Sequence, residues 1–211
     1  MGGMNIGIIG SGNVGGTLGR RWSKGGHRVI FSSRNPASDE MQRLTAETGA
    51  GSATVAEAAK ASDVLLLATP WPAAQAALNS AGDLTGKVLI DAINPLLPDL
   101  SGLAVGATTS GAEQVAAWAP GARVVKAFNT VGYNVMQDPK FPAGAAVMFY
   151  CGDDAAAKAT VRPLIAELGF DPQDAGPLSQ ARLLEPFAML WISLAVKYGY
   201  GRDIGFQLMR R

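Results

Sequence analysis

The first residues in this chain whose types and spacing imply chemistry form a glycine-rich turn. Gly10-Ser11-Gly12-Asn13-Val14-Gly15 follows the apolar run Asn5 to Ile9 and opens a helix-compatible segment. In a GxGxxG turn of this kind the first glycine permits the tight bend and the second lets backbone approach a pyrophosphate. The third lets helix close on strand, while free N–H groups at the helix start face the phosphate oxygens. A glycine-rich turn without a ligand is the alternative. The coincidence of strand, glycines and helix favours dinucleotide binding.

Which dinucleotide is decided at the end of the second strand, where an NAD site places a carboxylate against the ribose hydroxyls. Here that place reads Phe31-Ser32-Ser33-Arg34-Asn35, and Asp39 and Glu40 lie too far on to substitute. A hydroxyl can donate to a 2′-phosphate, and a guanidinium can pair with it or stack on adenine. Ser32, Ser33 and Arg34 therefore predict NADP(H), against the alternative that Arg34 is a solvated surface charge.

Ligands on such sheets cross the carboxyl ends of the strands. Thr69, Pro70 and Trp71, then Asn94 and Pro95, are expected to complete the cofactor site, with Phe128, Asn129 and Thr130 lining a pocket for a second ligand. Proline and aromatic side chains make a flat, dry wall that suits hydride transfer between stacked rings. Trp71 reads equally well as a core or interface anchor. No paired carboxylates, lysine–tyrosine couple or activated serine stands out at these ends, so no catalytic residue is assigned. That pattern suits a reaction whose chemistry belongs to cofactors and needs mainly orientation from the protein. Lys126 and Asp91 read as structural, Asp91 through turn or cap hydrogen bonds. With one cysteine, Cys151, and one histidine, His27, no internal disulfide or Cys/His metal site is expected.

These residues need a scaffold. Short apolar runs at Asn5, Arg28, Asp63, Lys87, Arg123 and Ala146 alternate with helix-compatible segments, including Val14 to Lys24, Asp39 to Thr48 and Gln180 to Tyr198. This is βαβ repetition: an α/β, Rossmann-type, doubly wound and mainly parallel sheet. After about Gly176 one long helical pattern and no further strand is expected. Residues 1–176 thus form the NADP-binding domain, and 177–211 a small helical C-terminal extension that forms a dimer. The apolar stretch Pro186 to Val196 is well short of the roughly 20 residues that span a bilayer. It predicts a helix buried on all sides, by its own chain or by a partner subunit. A net charge of +1, from 18 basic and 17 acidic residues, offers no field for nucleic acid. Met1 to Gly3 carry no positive charge and Ile6 to Ile9 is too short for a signal core, so a cytoplasmic protein with no targeting segment and no membrane partner is expected.

The sequence resembles the coenzyme F420-dependent NADP reductases and the bacterial dinucleotide-binding oxidoreductases grouped with them. Beyond the glycine turn the matching pieces are SSRNP at Ser32, ATPW at Ala68, CGDD at Cys151 and DAGPLSQARLLE at Asp174. The resemblance implies that Ser11, Gly12, Asn13 and Val14 hold the pyrophosphate region and that Ser33 with Arg34 holds the 2′-phosphate. It also implies a homodimer whose C-terminal helix and tail help form a deazaflavin pocket. The archaeal members carry a histidine where this chain has Asn129. By the resemblance the second, small-molecule redox substrate is a deazaflavin (coenzyme F420) or a flavin, and the change to Asn129 leaves the choice of acceptor open. A reductase of a small imine or carbonyl and a non-catalytic NADPH-sensing module are the alternatives.

Overall fold

Strands β4 (Val64–Leu67) and β5 (Val88–Asp91) are buried at every position, which requires a sheet covered on both faces. The computed structural model, which describes residues 2–211, contains that sheet. Met1, part of the stretch read for a targeting signal, lies outside the described residues. Eight strands lie in the order β10-β9-β6-β5-β4-β1-β2-β3. The others are β1 (Asn5–Ile9), β2 (Arg28–Ser32), β3 (Gly51–Ala53), β6 (Arg123–Lys126), β9 (Val147–Gly152) and β10 (Asp171–Asp174). All neighbours are parallel except β6 and β9. A small hairpin, β7 (Lys140–Phe141) with β8 (Gly144–Ala145), stands apart.

Side chains alternate across the sheet, so each strand feeds two cores. Ile6, Ile8, Val64, Leu66, Ile90 and Val125 pack with Leu18 and Trp22 of α1 (Asn13–Lys24) and Met41 and Leu44 of α2 (Asp39–Thr48). The same core takes Val135 and Met136 of α6 (Tyr133–Gln137) and Val161, Leu164 and Ile165 of α7 (Ala155–Ala166). Leu65, Leu67, Leu89 and Val124 face the other way, toward α3 (Val55–Ala61), α4 (Trp71–Ala81), α5 (Gly111–Trp118) and α8 (Ala181–Ile192). The fold is therefore Rossmann-type and doubly wound, as expected, with a C-terminal helix.

Four strands and α6 went unread. The edge strands β3 (GSA) and β10 (DPQD) and the two-residue β7 and β8 carry no apolar alternation, because an edge or hairpin strand has less to bury. The helix expected over Gln180 to Tyr198 is α8 followed by a π-turn at Ser193–Lys197. Of the two expected sources of cover, the chain itself supplies only part: Ala188 and Trp191 are buried, but Leu183 is 66% exposed and Leu190 and Val196 are 49% exposed. The stripe turned away from the sheet finds no cover in its own chain. Among the described residues no helix is long and apolar enough to cross a membrane.

Close contact of α1 with β2 governs where the glycine turn sits. A Cβ on Gly19 would lie 2.3 Å from the buried ring of Phe31, so the helix rides on the sheet at a distance only glycine permits. Gly19→Ala should lower unfolding stability by about 1–2 kcal/mol, overpacking outweighing the gain in helix propensity. Thermal unfolding followed by circular dichroism checks this; an unchanged or raised Tm would refute it.

Candidate active site

The turn at the amino end of α1 uses its three glycines differently. Gly10 takes φ 100°, and a Cβ there would lie 2.7 Å from the Ala68 carbonyl oxygen. On Gly15 a Cβ would lie 1.9 Å from the Gly10 carbonyl oxygen. Those two are packing requirements. Gly12, the residue preceding α1, meets nothing within 4 Å and lies against open space. No side chain caps α1 and no acidic residue occupies its first turn. Its first N–H groups and its dipole are thus available to an anion on the side of the turn that Gly12 leaves open. The Ser11 hydroxyl donates to Met41 Sδ at 3.5 Å, tying the turn to α2.

At the end of β2 the three expected residues separate. Ser32 is 3% exposed and its hydroxyl donates to the Ile8 carbonyl at 2.8 Å. Its side chain braces β2 on β1, which corrects the expectation that it faces a ligand. Ser33 keeps its hydroxyl near the surface, accepting from the Asn35 N–H at 3.1 Å. Arg34 is exposed and has no hydrogen bond or ion pair among the described residues.

The later strand ends are more buried than the sequence suggested. Thr69 is half-buried, and its hydroxyl has no partner among the described residues. Pro70 precedes α4 and is exposed; Trp71 begins α4 and stacks on Trp118 of α5 at 5.1 Å, so the anchor reading describes its packing. Pro95 is buried beneath Gly111. Phe128 is 1% exposed, packs edge-to-face on Trp22 at 5.7 Å and holds a left-handed φ of 62°. Thr130 is buried, its hydroxyl 3.9 Å from Met148 Sδ. Asn129 is 5% exposed, and its amide nitrogen donates to Asn94 Oδ1 at 3.1 Å and the Leu184 carbonyl at 3.0 Å. A carbonyl can only accept, so this orientation of the amide is fixed. Asn94 Nδ2 donates back to the Asn129 carbonyl at 2.9 Å, and Asn129 Oδ1 has no partner among the described residues. Phe128, Asn129 and Thr130 thus form a buried hub, not the open pocket wall expected of them.

Directly beneath lies a charged cluster that the sequence reading missed. Lys126 Nζ donates to Asp91 at 3.0 Å, to Glu185 of α8 at 2.9 Å and to the Ile93 carbonyl, with all three side chains at most 1% exposed. The Glu185 carboxylate also accepts the N–H groups of Gly111 at 2.8 Å and Ala112 at 3.0 Å, the first turn of α5. Burial pushes the Asp91 carboxyl above its ordinary value against the pull of Lys126. Burial pulls Lys126 down, but Asp91 and Glu185 outweigh it and hold the ammonium above its ordinary value. Cys151, across from Lys126 on β9, is a thiol that burial pushes up to about 12, too high to react as thiolate near neutrality. A signal existed: Asp91 and Lys126 are opposite charges ending two adjacent apolar strands, and the structure pairs them in register. Glu185 also falls on the buried stripe of α8 between Ala181 and Ala188.

A groove of about 1080 Å³ lies elsewhere, between the second half of α1, the β7–β8 hairpin and the end of α7, and none of the expected site residues lines it.

Comparison with known proteins identifies the family. Residues 5–95 match the family model described as NADP oxidoreductase, coenzyme F420-dependent. The F420-dependent NADP reductase of Methanothermobacter marburgensis is 30% identical over 210 residues, covering 92% of this chain and 93% of that one. Metalloreductase STEAP3 of Rattus norvegicus is 32% identical over 183 residues, 85% of this chain, but the match spans only 35% of the rat protein. A solved structure from Arthrobacter sp. FB24, provisionally assigned as an F420-dependent NADP reductase, superposes with a TM-score of 0.90 at 32% identity, covering 99% of this chain and 100% of that one. The chain is an NADP-dependent oxidoreductase and belongs to the coenzyme F420-dependent NADP reductase family.

Proposed function

We propose that this chain binds NADP(H) along the carboxyl edge of β1, β2 and β4 and passes hydride between the nicotinamide and a flat redox partner of the deazaflavin or flavin type. The observation that carries the reading is an uncapped α1 beside an open Gly12, with the unpartnered Arg34 at the end of the neighbouring strand. A pyrophosphate fits the first feature, and a 2′-phosphate fits the second. Gly10, Ser11, Gly12, Asn13, Val14 and Gly15 would hold the pyrophosphate, and Ser33 with Arg34 the 2′-phosphate. Thr69 and Asn94 are the polar groups at the next strand ends best placed to orient the far half of the cofactor. NADP(H) supplies hydride chemistry at its nicotinamide. The protein binds, orients and keeps that end dry, which is what a transfer between two cofactors requires. Near full-length similarity to the methanogen reductase supports coenzyme F420 as the second substrate.

Residues 1–176 would form the cofactor unit, and 177–211 would supply the contact of a homodimer. Leu183 and Leu190 stand two helical turns apart on one exposed stripe of α8, with Val196 exposed further on. An apolar stripe of that kind is what a second copy would cover.

Four outcomes test these readings. Arg34→Ala should weaken NADPH binding by about 10-fold or more, the loss of a charge-assisted pair, with little change for NADH. Gly12→Ala should weaken both dinucleotides at unchanged thermal stability; calorimetric titration measures each, and equal losses of NADPH and NADH in Arg34→Ala would sink the 2′-phosphate role. Mixed with NADPH, the protein should bleach the nicotinamide absorbance when coenzyme F420 is supplied. Bleaching only with a flavin, a quinone or a small imine or carbonyl reassigns the acceptor, and tight binding with no turnover makes the chain an NADPH sensor. Light scattering should find a dimer, converted to monomer by Leu183→Glu with Leu190→Glu; a wild-type monomer refutes the interface.

A further inference from the structure

The charged cluster and the asparagine pair are one continuous network. Lys126 holds the carbonyl of Ile93, the residue before Asn94. Glu185 follows Leu184, whose carbonyl receives the Asn129 amide. Asn94 and Asn129 then close on each other. Four segments meet through these bonds: the exits of β5 and β6, the first turn of α5 and the middle of α8. None of the three charged side chains reaches a surface where a ligand could touch it.

Stability is a weak reason for such a cluster. Desolvating an ammonium and two carboxylates costs as much as their attraction returns, and apolar residues of similar volume often serve as well. What buried charges with fixed partners do supply is definition of place. The need for definition is visible next door, where Phe128 holds a left-handed backbone, a strained state for a bulky residue that persists only when its surroundings over-determine it.

We propose that Asp91, Lys126 and Glu185 are positioning residues for the redox end of the active site. Through Ile93 and Leu184 they fix Asn94 and Asn129, and through Glu185 they make the C-terminal helix an obligatory part of the strand-end crest over which the nicotinamide lies. The redox end and the nicotinamide in this statement rest on the cofactor reading above; the fixing of Asn94 and Asn129 does not. The groups facing the cluster are the Gly111 and Ala112 N–H groups from α5, the Ile93 carbonyl from the β5 exit and the Cys151 thiol from β9. All are neutral, so no outside charge substitutes for a missing member.

The test uses the full chain carrying Lys126→Met together with Glu185→Gln, with Glu185→Gln alone as the second variant. The pair removes the ammonium and one countercharge together, keeps an acceptor for one of the two α5 N–H groups and lets Asp91 become neutral. Both variants should fold cooperatively and bind NADPH with Kd within about threefold of wild type, because the phosphate contacts lie on β1 and β2. The fluorescence gain of the bound nicotinamide should fall by about half or more, and hydrogen exchange at the Asn94, Asn129 and Thr130 amides should quicken by about 10-fold or more. Folded variants with unchanged exchange and unchanged nicotinamide emission overturn the proposal. So does failure of both to fold, since the cluster would then serve folding itself. A wild-type protein that does not bind NADPH would sink the cofactor reading, while the exchange measurement would still decide the positioning role.

Discussion

Lys126 cannot be buried alone. An ammonium withdrawn from water costs several kcal/mol unless carboxylates and carbonyls replace its hydration, so its place at the end of β6 commits distant parts of the chain to meet there. Asp91 comes from the neighbouring strand in register, and Glu185 from a helix 59 residues further on. Glu185 in turn has two oxygens to satisfy, and it takes two of the N–H groups that the start of α5 would otherwise leave orphaned. One buried cation thereby sets the height of α8 against the sheet, the entry of α5 and the exit of β5. The Asn94–Asn129 pair is built on those three positions.

A second constraint operates at the other end of the same edge, through absence of side chains. Gly15 and Gly10 are in contact across the turn, and Gly19 is in contact with Phe31, so α1 lies nearer the sheet than any side chain would allow. This closeness aims the uncapped helix start at the strand ends and leaves Gly12 facing open space. The two devices are opposite in kind: one end of the crest is placed by atoms that are missing, the other by charges that must be matched. The first leaves bare backbone N–H groups at the helix start, and the second holds a hydrogen-bonded asparagine pair.

What could be read in the sequence follows the same division. The glycine turn, the six apolar strands and the helices between them are local features, each carried by a few contiguous residues whose pattern has one physical meaning. Ser33 and Arg34 lie at the surface as expected, because their exposure depends only on where β2 stops. Ser32, one residue earlier, was misread because the period of two turns its side chain inward, where the Ile8 carbonyl takes the hydroxyl. Phe128, Asn129 and Thr130 were rightly placed at a strand end but wrongly turned outward. Their burial is decided by Trp22, Leu184 and Met148, which lie far away in the chain. The edge strands β3 and β10 were invisible for the complementary reason, having too little apolar surface to leave a pattern.

Lys126, Asp91 and Glu185 show where reading by motif stops and reading by electrostatics could continue. Each looks unremarkable in its own segment, a charge at the end of a strand or in an apolar helix. Taken together they violate the expectation that such residues avoid full burial, and a violation is tolerable only if the charges find each other. Two opposite charges ending adjacent parallel strands, with a third on the buried stripe of a later helix, therefore predict a contact between helix and sheet that no hydrophobic pattern specifies. In a doubly wound fold such a contact falls at the carboxyl edge, where ligands bind. Charges inside apolar elements are thus a sequence signal for a contact between helix and sheet, as closely spaced glycines are for a helix lying close on a strand.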